Sequence, residues 1–302
     1  MAPLIAVDWG TSSLRAALLD AGGRVQQEHA SERGILTVPE GQFASVLIAE
    51  CARWMGAEGT FVLMSGMIGS RQGWQEAPYC PCPAGFADIA ARLAWIEGGA
   101  GGSRVAIVPG ICIESGTAPD VMRGEETQVL GALDLLGLAD ATLVLPGTHS
   151  KWVQVRSRRI EGFSTFMTGE FYALLRKHSI LARTLPEADG PLDEGAFLRG
   201  VAYARAAGNL LHSAFSTRTL ALFERLPAAA LPSYLSGLVI GEELRSQALR
   251  GTPDPVVLIG AHALTLRYEL ALHSLGVAVR RVGAEATWRG LWAIAQTLEP
   301  RP

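Results

Sequence analysis

The sequence predicts a mixed α/β protein in which one strand–helix pattern is laid down twice. Three observations carry this. First, the apolar run Leu4-Ile5-Ala6-Val7 meets the polar turn Asp8-Trp9-Gly10-Thr11-Ser12-Ser13, and a second apolar run, Leu14 to Leu19, follows at once. Two such runs joined by a Gly/Thr/Ser turn make a hairpin. Second, the same unit recurs at Thr142 to Leu145, Pro146-Gly147-Thr148-His149-Ser150-Lys151 and Trp152 to Val155. Third, after each hairpin short apolar runs alternate with stretches of helical periodicity, the mark of a mixed sheet with helices on its faces.

In chain order, Arg24 to Ala30 is a third strand after the turn Ala21-Gly22-Gly23. Phe43 to Met55 has Val46, Leu47, Ala49 and Trp54 at helical spacing. Thr60 to Met64 is a buried strand that ends in the glycine-rich loop Ser65 to Trp74. Tyr79 to Gly85 is proline-rich and irregular, and Phe86 to Ile96 is a helix stopped by Gly98 to Gly102. Val105 to Val108 is a strand, and Gly124 to Leu138 a strongly amphipathic helix. Three strands, helix, strand, helix, strand, helix is a ribonuclease-H-like order.

The second copy adds a strand at Arg159 to Phe166 and a helix at Gly169 to His178. Helices at Glu194 to Leu211 and Ser233 to Leu249 form an inserted layer. Val256 to Ile259 is a strand, Ala263 to Leu275 a helix, Val277 to Val282 the last strand and Ala284 to Leu298 the terminal helix. The expected domains are 1–139 and 140–302, with the last helix, about 284–299, packing on the first domain.

Composition removes several classes. The 302 residues carry a net charge of −3, with 49% apolar and 18% charged residues, so a sizeable core can be buried and two domains are expected. There is no basic stripe for nucleic acid or an anionic membrane, and no apolar run of membrane-spanning length. The N-terminus lacks a basic n-region and meets Asp8 immediately, so it does not read as a signal peptide. Cys51, Cys80, Cys82 and Cys112 have neither disulfide-framework nor zinc spacing and read as reduced cytosolic thiols. His178, His212, His262 and His273 read as ordinary structure, and no G-x-S-x-G elbow is present.

Neither G-x-x-x-x-G-K-[ST] nor G-x-G-x-x-G occurs at a strand end. A nucleotide would have to be held by the two hairpin turns. They look like the two phosphate motifs of the actin, sugar-kinase and Hsp70 superfamily, which implies two ribonuclease-H-like domains around a nucleotide cleft. In that reading Asp8 holds Mg2+ through water, since Mg2+ takes only one or two carboxylates. Gly10, Thr11, Ser12 and Ser13 meet phosphate oxygens, and Gly147, Thr148, His149, Ser150 and Lys151 grip the other side. Gly260-Ala261, between a strand and a helix, resembles the adenosine motif. The competing reading of the first turn is an ordinary polar hairpin turn.

Asp120-Val121-Met122-Arg123-Gly124-Glu125-Glu126 places two acids in the first turn of a helix. Acids there complement the helix dipole without further role. The functional reading makes one a general base toward a substrate hydroxyl: Glu126 first, with Glu125 and Asp120 as alternates. Arg123 either forks onto a substrate carboxylate or neutralises the acids. The loop Ser65 to Tyr79 ends a strand where ligands bind in α/β folds. Its Gly66, Met67, Ser70, Arg71, Gln72, Trp74 and Glu76 are the expected contacts to a polyol acid; the competing reading is a long surface loop with one anchoring Trp.

The segments IAVDWGTSSLRA, SGMIGSRQGWQEAPY, VMRGEETQVLGA, LPGTHSKWVQV, FSTFMTGEFYALL and SGLVIGEEL resemble the 2-dehydro-3-deoxygalactonokinase family from residue 5 to about 243. The resemblance implies ATP-dependent phosphorylation of the 6-hydroxyl of 2-dehydro-3-deoxy-D-galactonate, in the cytoplasm, during galactonate breakdown. ATP and Mg2+ are the expected cofactors. The expected partners are the sugar acid and ATP, without nucleic acid or membrane, and with homodimerisation open. The alternatives are a kinase for another 2-keto-3-deoxy acid, a polyphosphate or nucleotide phosphohydrolase of the same superfamily, or a nucleotide-dependent sensor.

Overall fold

A computed structural model describes residues 3–55, 59–247, 249 and 254–298. Position 248 of the expected helix Ser233 to Leu249, and 299–302 of the expected second domain, lie outside them.

The first hairpin is β1 (Leu4–Trp9) and β2 (Leu14–Leu19), followed by β3 (Val25–Ser31) and α1 (Phe43–Cys51). Then come β4 (Phe61–Ser65), β5 (Cys80–Pro81), α2 (Phe86–Ala90), β6 (Ala94–Trp95), β7 (Arg104–Ile107), β8 (Ile111–Ile113), β9 (Asp120–Met122) and α3 (Glu125–Leu136). One sheet has the order β3-β2-β1-β4-β7-β6. β1 pairs antiparallel with β2, and β2 with β3, while β4 runs parallel to β1 and β7 parallel to β4. That is a ribonuclease-H-like order. β1 is almost wholly buried because it is central, with Ile5, Ala6 and Val7 at 0% exposure.

Two local expectations change. The helix at Phe86 to Ile96 stops at Ala90, because Ala94 and Trp95 pair with β7 instead. Trp95 stacks on Phe61 at 5.5 Å between ring centroids, and Arg104 lies 4.6 Å over it, so cross-strand contacts outcompete helix continuation. Part of the proline-rich stretch is a strand: β5 joins β8 and β9 in a small sheet, in register Cys80↔Ile111 and Ile111↔Met122.

The second copy comprises β10 (Ala141–Leu145), β11 (Ser150–Arg156), β12 (Arg159–Phe166), α4 (Thr168–His178), α5 (Glu194–Ala207), α6 (Leu210–Ser213), α7 (Ser216–Leu222) and α8 (Leu231–Arg245). It closes with β13 (Val256–Ile259), α9 (His262–His273), β14 (Val279–Val282) and α10 (Glu285–Gln296). Its sheet repeats the order, β12-β11-β10-β13-β14, with β10 parallel to β13. The expected helix Glu194 to Leu211 breaks at Gly208, which takes the left-handed C-cap of α5. Two ribonuclease-H-like sheets in one chain are the architecture of the actin-like sugar kinases.

The chain divides into two compact units. Unit 1 is Met1–Ala141, Val153–Phe163 and Val282–Pro302; unit 2 is Thr142–Trp152 and Ser164–Arg281. In unit 1 the core runs from Ile5, Val7 and Trp9 to Val62, Met64 and Ile107. Within it α10 packs on α3, where Arg289 Nε donates to Asp134 at 2.5 Å, and Trp288 Nε1 donates to Glu28 at 2.6 Å. In unit 2 one cluster gathers Val144, Trp152, Phe197, Ile240, Leu258 and Tyr268, and another lies in the helical layer around Leu235 and Leu238. All four cysteines are free thiols. Among the described residues no helix is long and apolar enough to cross a membrane.

Candidate active site

In unit 1 the tight turn after β1 is closed by Gly10 N–H donating to the Ser13 carbonyl at 2.9 Å. The segment after β3 braces it: Ile35 N–H donates to Gly10 O at 3.0 Å and Leu36 N–H to Thr11 O at 3.3 Å. Thr11, Ser12 and Ser13 are thereby held exposed. The β1–β2 register puts Arg15 opposite Asp8, and its guanidinium donates to Asp8 Oδ2. This partner follows from cross-strand pairing, yet the sequence reading passed over it.

β4 lies beside β1, with Asp8 aligned to Ser65, so the loop after β4 starts next to Asp8. Gly66 has φ +92°, and a Cβ there would sit 2.9 Å from the Trp9 carbonyl and 3.2 Å from Asp8 Oδ1. No side chain is tolerated at that backbone and that distance. Gly124, just before α3, approaches the same point: its Cβ position is 3.3 Å from Gly66 Cα. Asp8, Gly66 and the N-terminus of α3 therefore converge within unit 1.

The two acids of α3 differ sharply. Glu126 is fully buried, with Oε2 accepting from Gly124 N–H at 2.7 Å and Oε1 from Thr127 Oγ1 at 3.2 Å. Burial pushes its carboxyl up to about 8, the Glu125 charge adding to the effect, against the opposing pull of backbone N–H groups and Arg123. Glu125 is half-buried and accepts from Arg123 N–H at 3.1 Å. Asp120 is not on the helix. It lies in β9, with Oδ1 on Val121 N–H at 2.8 Å.

Arg123 supports the loop from behind. Its Nη2 donates to Ala77 O at 2.7 Å, its guanidinium lies 4.5 Å over the Tyr79 ring, and Nη1 sits 2.8 Å from the Cβ position of Gly69. Met67 and Ile68 form a short 3-10 turn, and Trp74 N–H ties back to Ile68 O at 3.0 Å. Arg71 and Glu76 pair at 3.0 Å on the exposed rim with Gln72, while Ser70 Oγ is buried.

In unit 2 the second turn presents Gly147, Thr148 and His149 at the surface side and Ser150 and Lys151 inward. His149 Nε2 meets Glu170 at 2.6 Å, and Lys151, buried, donates to Thr165 Oγ1 at 2.9 Å. The turn and the start of α4 are pressed together. A Cβ at Gly169 would lie 2.5 Å from Gly147 O and 2.9 Å from Thr148 Cα, and Glu170 N–H donates to Thr148 O at 3.1 Å. Beside them opens a largely apolar cavity of about 210 Å³, walled by Thr168, Tyr172, Val239, Ile240, Leu264 and Tyr268, with Asp189 and Arg267 as its charged groups. Gly147 and Gly169 also line it, so cavity and turn are continuous. Gly260, at φ +142°, has its Cβ position 3.6 Å from Pro146 O, and α9 starts just after Ala261.

The sequence reading missed this cavity and the group behind it, the carboxylate of Glu243. Oε1 accepts from Ser150 Oγ at 2.9 Å and Trp152 Nε1 at 2.6 Å, and Oε2 accepts from Tyr268 OH at 2.6 Å and from Thr168 Oγ1. Two adjacent acids, Glu242 and Glu243, in an otherwise largely apolar helical stretch, YLSGLVIGEEL, were the available signal.

Among the described residues no group of three or more His, Cys, Asp or Glu side chains is placed to hold a metal ion. A metal here would be completed by phosphate oxygens and water around one carboxylate, which is the habit of Mg2+. Asp8, with Oδ1 turned to the Gly66 backbone and Oδ2 on Arg15, fits that role.

Comparison with known proteins identifies the family. The family model for 2-keto-3-deoxy-galactonokinase matches residues 8–294. The chain is 40% identical over 302 residues to the Rhizobium meliloti protein named "Probable 2-dehydro-3-deoxygalactonokinase DgoK1", covering 98% of this chain and 97% of that one. It is 35% identical over 297 residues to the 2-dehydro-3-deoxygalactonokinase of Escherichia coli, covering 97% and 98%. A crystal structure described as that of "a putative 2-dehydro-3-deoxygalactonokinase protein from Sinorhizobium meliloti" superposes with a TM-score of 0.89 at 39% identity, over 97% of this chain and 98% of that one. With the family model and both relatives spanning nearly its whole length, this chain belongs to the 2-keto-3-deoxy-galactonokinase family.

Proposed function

We propose that the chain is an ATP-dependent kinase that phosphorylates the 6-hydroxyl of 2-dehydro-3-deoxy-D-galactonate, in the cytoplasm, during galactonate breakdown. Within the family match over residues 8–294, the observation that carries this reading is the buried Glu126 at the head of α3, converging with Gly66 and Asp8.

Unit 2 takes the nucleotide: the base and ribose enter the apolar cavity beside Tyr172 and Leu264, and the phosphates reach the Gly147–His149 turn and the N-terminus of α4. In unit 1 the Gly10–Ser13 turn offers hydroxyls and backbone N–H groups to phosphate oxygens. The loop from Gly66 to Trp74, held from behind by Arg123, contacts the sugar acid. Glu126 accepts the proton of the 6-hydroxyl as that oxygen bonds to the γ-phosphorus and the bond to ADP breaks. A carboxylate titrating near neutrality suits a base that must be ionised to act yet release its proton afterwards. When bound, Mg2+ supplies charge neutralisation on phosphate oxygens, and Asp8 is the residue that holds it, through water.

The test is ADP release by the purified protein with Mg·ATP, with and without the sugar acid. A kinase releases ADP in proportion to added sugar acid. ADP release that ignores the sugar acid would identify a phosphohydrolase instead.

A further inference from the structure

Glu243 stands apart from the residues given roles above. It is not among the residues that line the cavity, yet it is 3% exposed and takes four donors from three elements of unit 2. Ser150, where the second turn runs into the strand, and Trp152 both belong to β11, Thr168 is the first residue of α4, and Tyr268 lies in α9. Ser150 is also within 3.3 Å of Tyr268 OH, so the donors form one cluster. Two of them, Thr168 and Tyr268, are walls of the nucleotide cavity. Burial pushes the Glu243 carboxyl up, and the four donors act against that by favouring its ionised form. The Tyr268 hydroxyl is pushed well above its ordinary value, so it remains a donor. A buried acid is costly unless every lone-pair direction is used, and here the two oxygens are used twice each.

We propose that Glu243 is a positioning residue of the nucleotide site: through Ser150, Thr168 and Tyr268 it sets the second phosphate turn, the start of α4 and the cavity wall in one geometry. The inference rests on reading unit 2 as the nucleotide-holding unit. The physical reason is the donor count. Four groups that point hydrogens at one centre can be satisfied together only by an acceptor with no hydrogen of its own. In Glu243→Gln the amide NH2 replaces one oxygen. Trp152 cannot accept a hydrogen bond, so the amide carbonyl must stay on the Trp152 side. The NH2 then faces Thr168 and Tyr268, whose hydroxyls must rotate away and lose their acceptor. Those are the two cluster members that line the cavity.

The experiment is calorimetric titration of the intact protein with a non-hydrolysable Mg·ATP analogue, paired with steady-state kinetics. For Glu243→Gln we expect analogue binding at least tenfold weaker and a matching rise in the KM for ATP, with the KM for the sugar acid within twofold of wild type. A role confined to folding would lower the melting temperature while leaving nucleotide affinity of the folded protein unchanged, and that result overturns the inference. Should Glu243→Gln fail to fold, Tyr268→Phe decides: three- to tenfold weaker binding is expected, and binding within twofold of wild type overturns the inference. Wild-type protein that binds no analogue would remove the nucleotide reading of unit 2 as well, whereas binding that is equal in wild type and variant removes the positioning role alone.

Discussion

Glu126→Gln separates catalysis from stability in opposite directions. In the folded protein burial holds the Glu126 proton up to about pH 8, against an ordinary value of 4.5. Between those limits the folded state binds one more proton at this site than the unfolded chain. The contribution to stability is therefore full below pH 4.5 and is lost as pH rises toward 8. At about 1.4 kcal/mol per pH unit the loss over this window is on the order of 4–5 kcal/mol. Gln has no proton to lose, so the variant escapes this loss. Its melting temperature should gain on wild type steadily between pH 5 and 8, while at pH 5 the two lie close together. The same titration governs the rate. A base titrating at about 8 is only about one-tenth ionised at pH 7, so wild-type kcat/KM for the sugar acid should rise about tenfold per unit from pH 6 to 7 and level off above 8. The variant should lose about 10²–10⁴-fold in kcat and show no such slope. Thermal melts and pH–rate profiles of both proteins check this. A melting difference that is constant with pH, together with an unchanged slope in the variant, would refute the assignment and move the base to Glu125.

Three further outcomes follow from the same geometry. Asp8→Asn should raise the Mg2+ concentration needed for half-maximal activity at least tenfold, read from a Mg2+ titration at fixed ATP; an unchanged requirement removes Asp8 from the metal site. Gly169→Ala puts a methyl 2.5 Å from Gly147 O, so the second turn must move, and the KM for ATP should rise at least tenfold with the sugar-acid KM unchanged. Leu264→Trp fills the cavity of about 210 Å³ from its half-exposed rim and should abolish nucleotide binding in a calorimetric titration without lowering the melting temperature by more than a few degrees.

The hairpins were legible because their signal is local: an apolar run, a polar turn and a second run need no distant partner. The acids of α3 were legible as a pair, but their difference was not. Glu125 and Glu126 are adjacent in sequence, and only packing makes one half-buried and the other fully buried. Lys151 and Ser150 read as phosphate ligands by residue type, whereas β11 begins at Ser150 and turns both inward, onto Thr165 and Glu243. Arg123 had two readings from its neighbours. Its actual support, Ala77 and Tyr79, comes from the far end of the glycine-rich loop. The cavity of unit 2 was invisible because its walls come from α4, α8 and α9, segments more than sixty residues apart in part. The helix expected at Phe86 to Ile96 failed for a related reason: Trp95 reads as helical by spacing but finds Phe61 and Arg104 across the sheet edge.

This chain is expected to transfer the γ-phosphoryl of ATP to the 6-hydroxyl of one 2-keto-3-deoxy sugar acid. The most direct measurement is kcat/KM over a panel of such acids, with the phosphorylated carbon of each product located by phosphorus–carbon coupling in NMR. 2-Dehydro-3-deoxy-D-galactonate should give the highest kcat/KM, and its product should carry phosphate on C6. A higher kcat/KM for a different acid, or phosphate at any other carbon, would contradict that expectation.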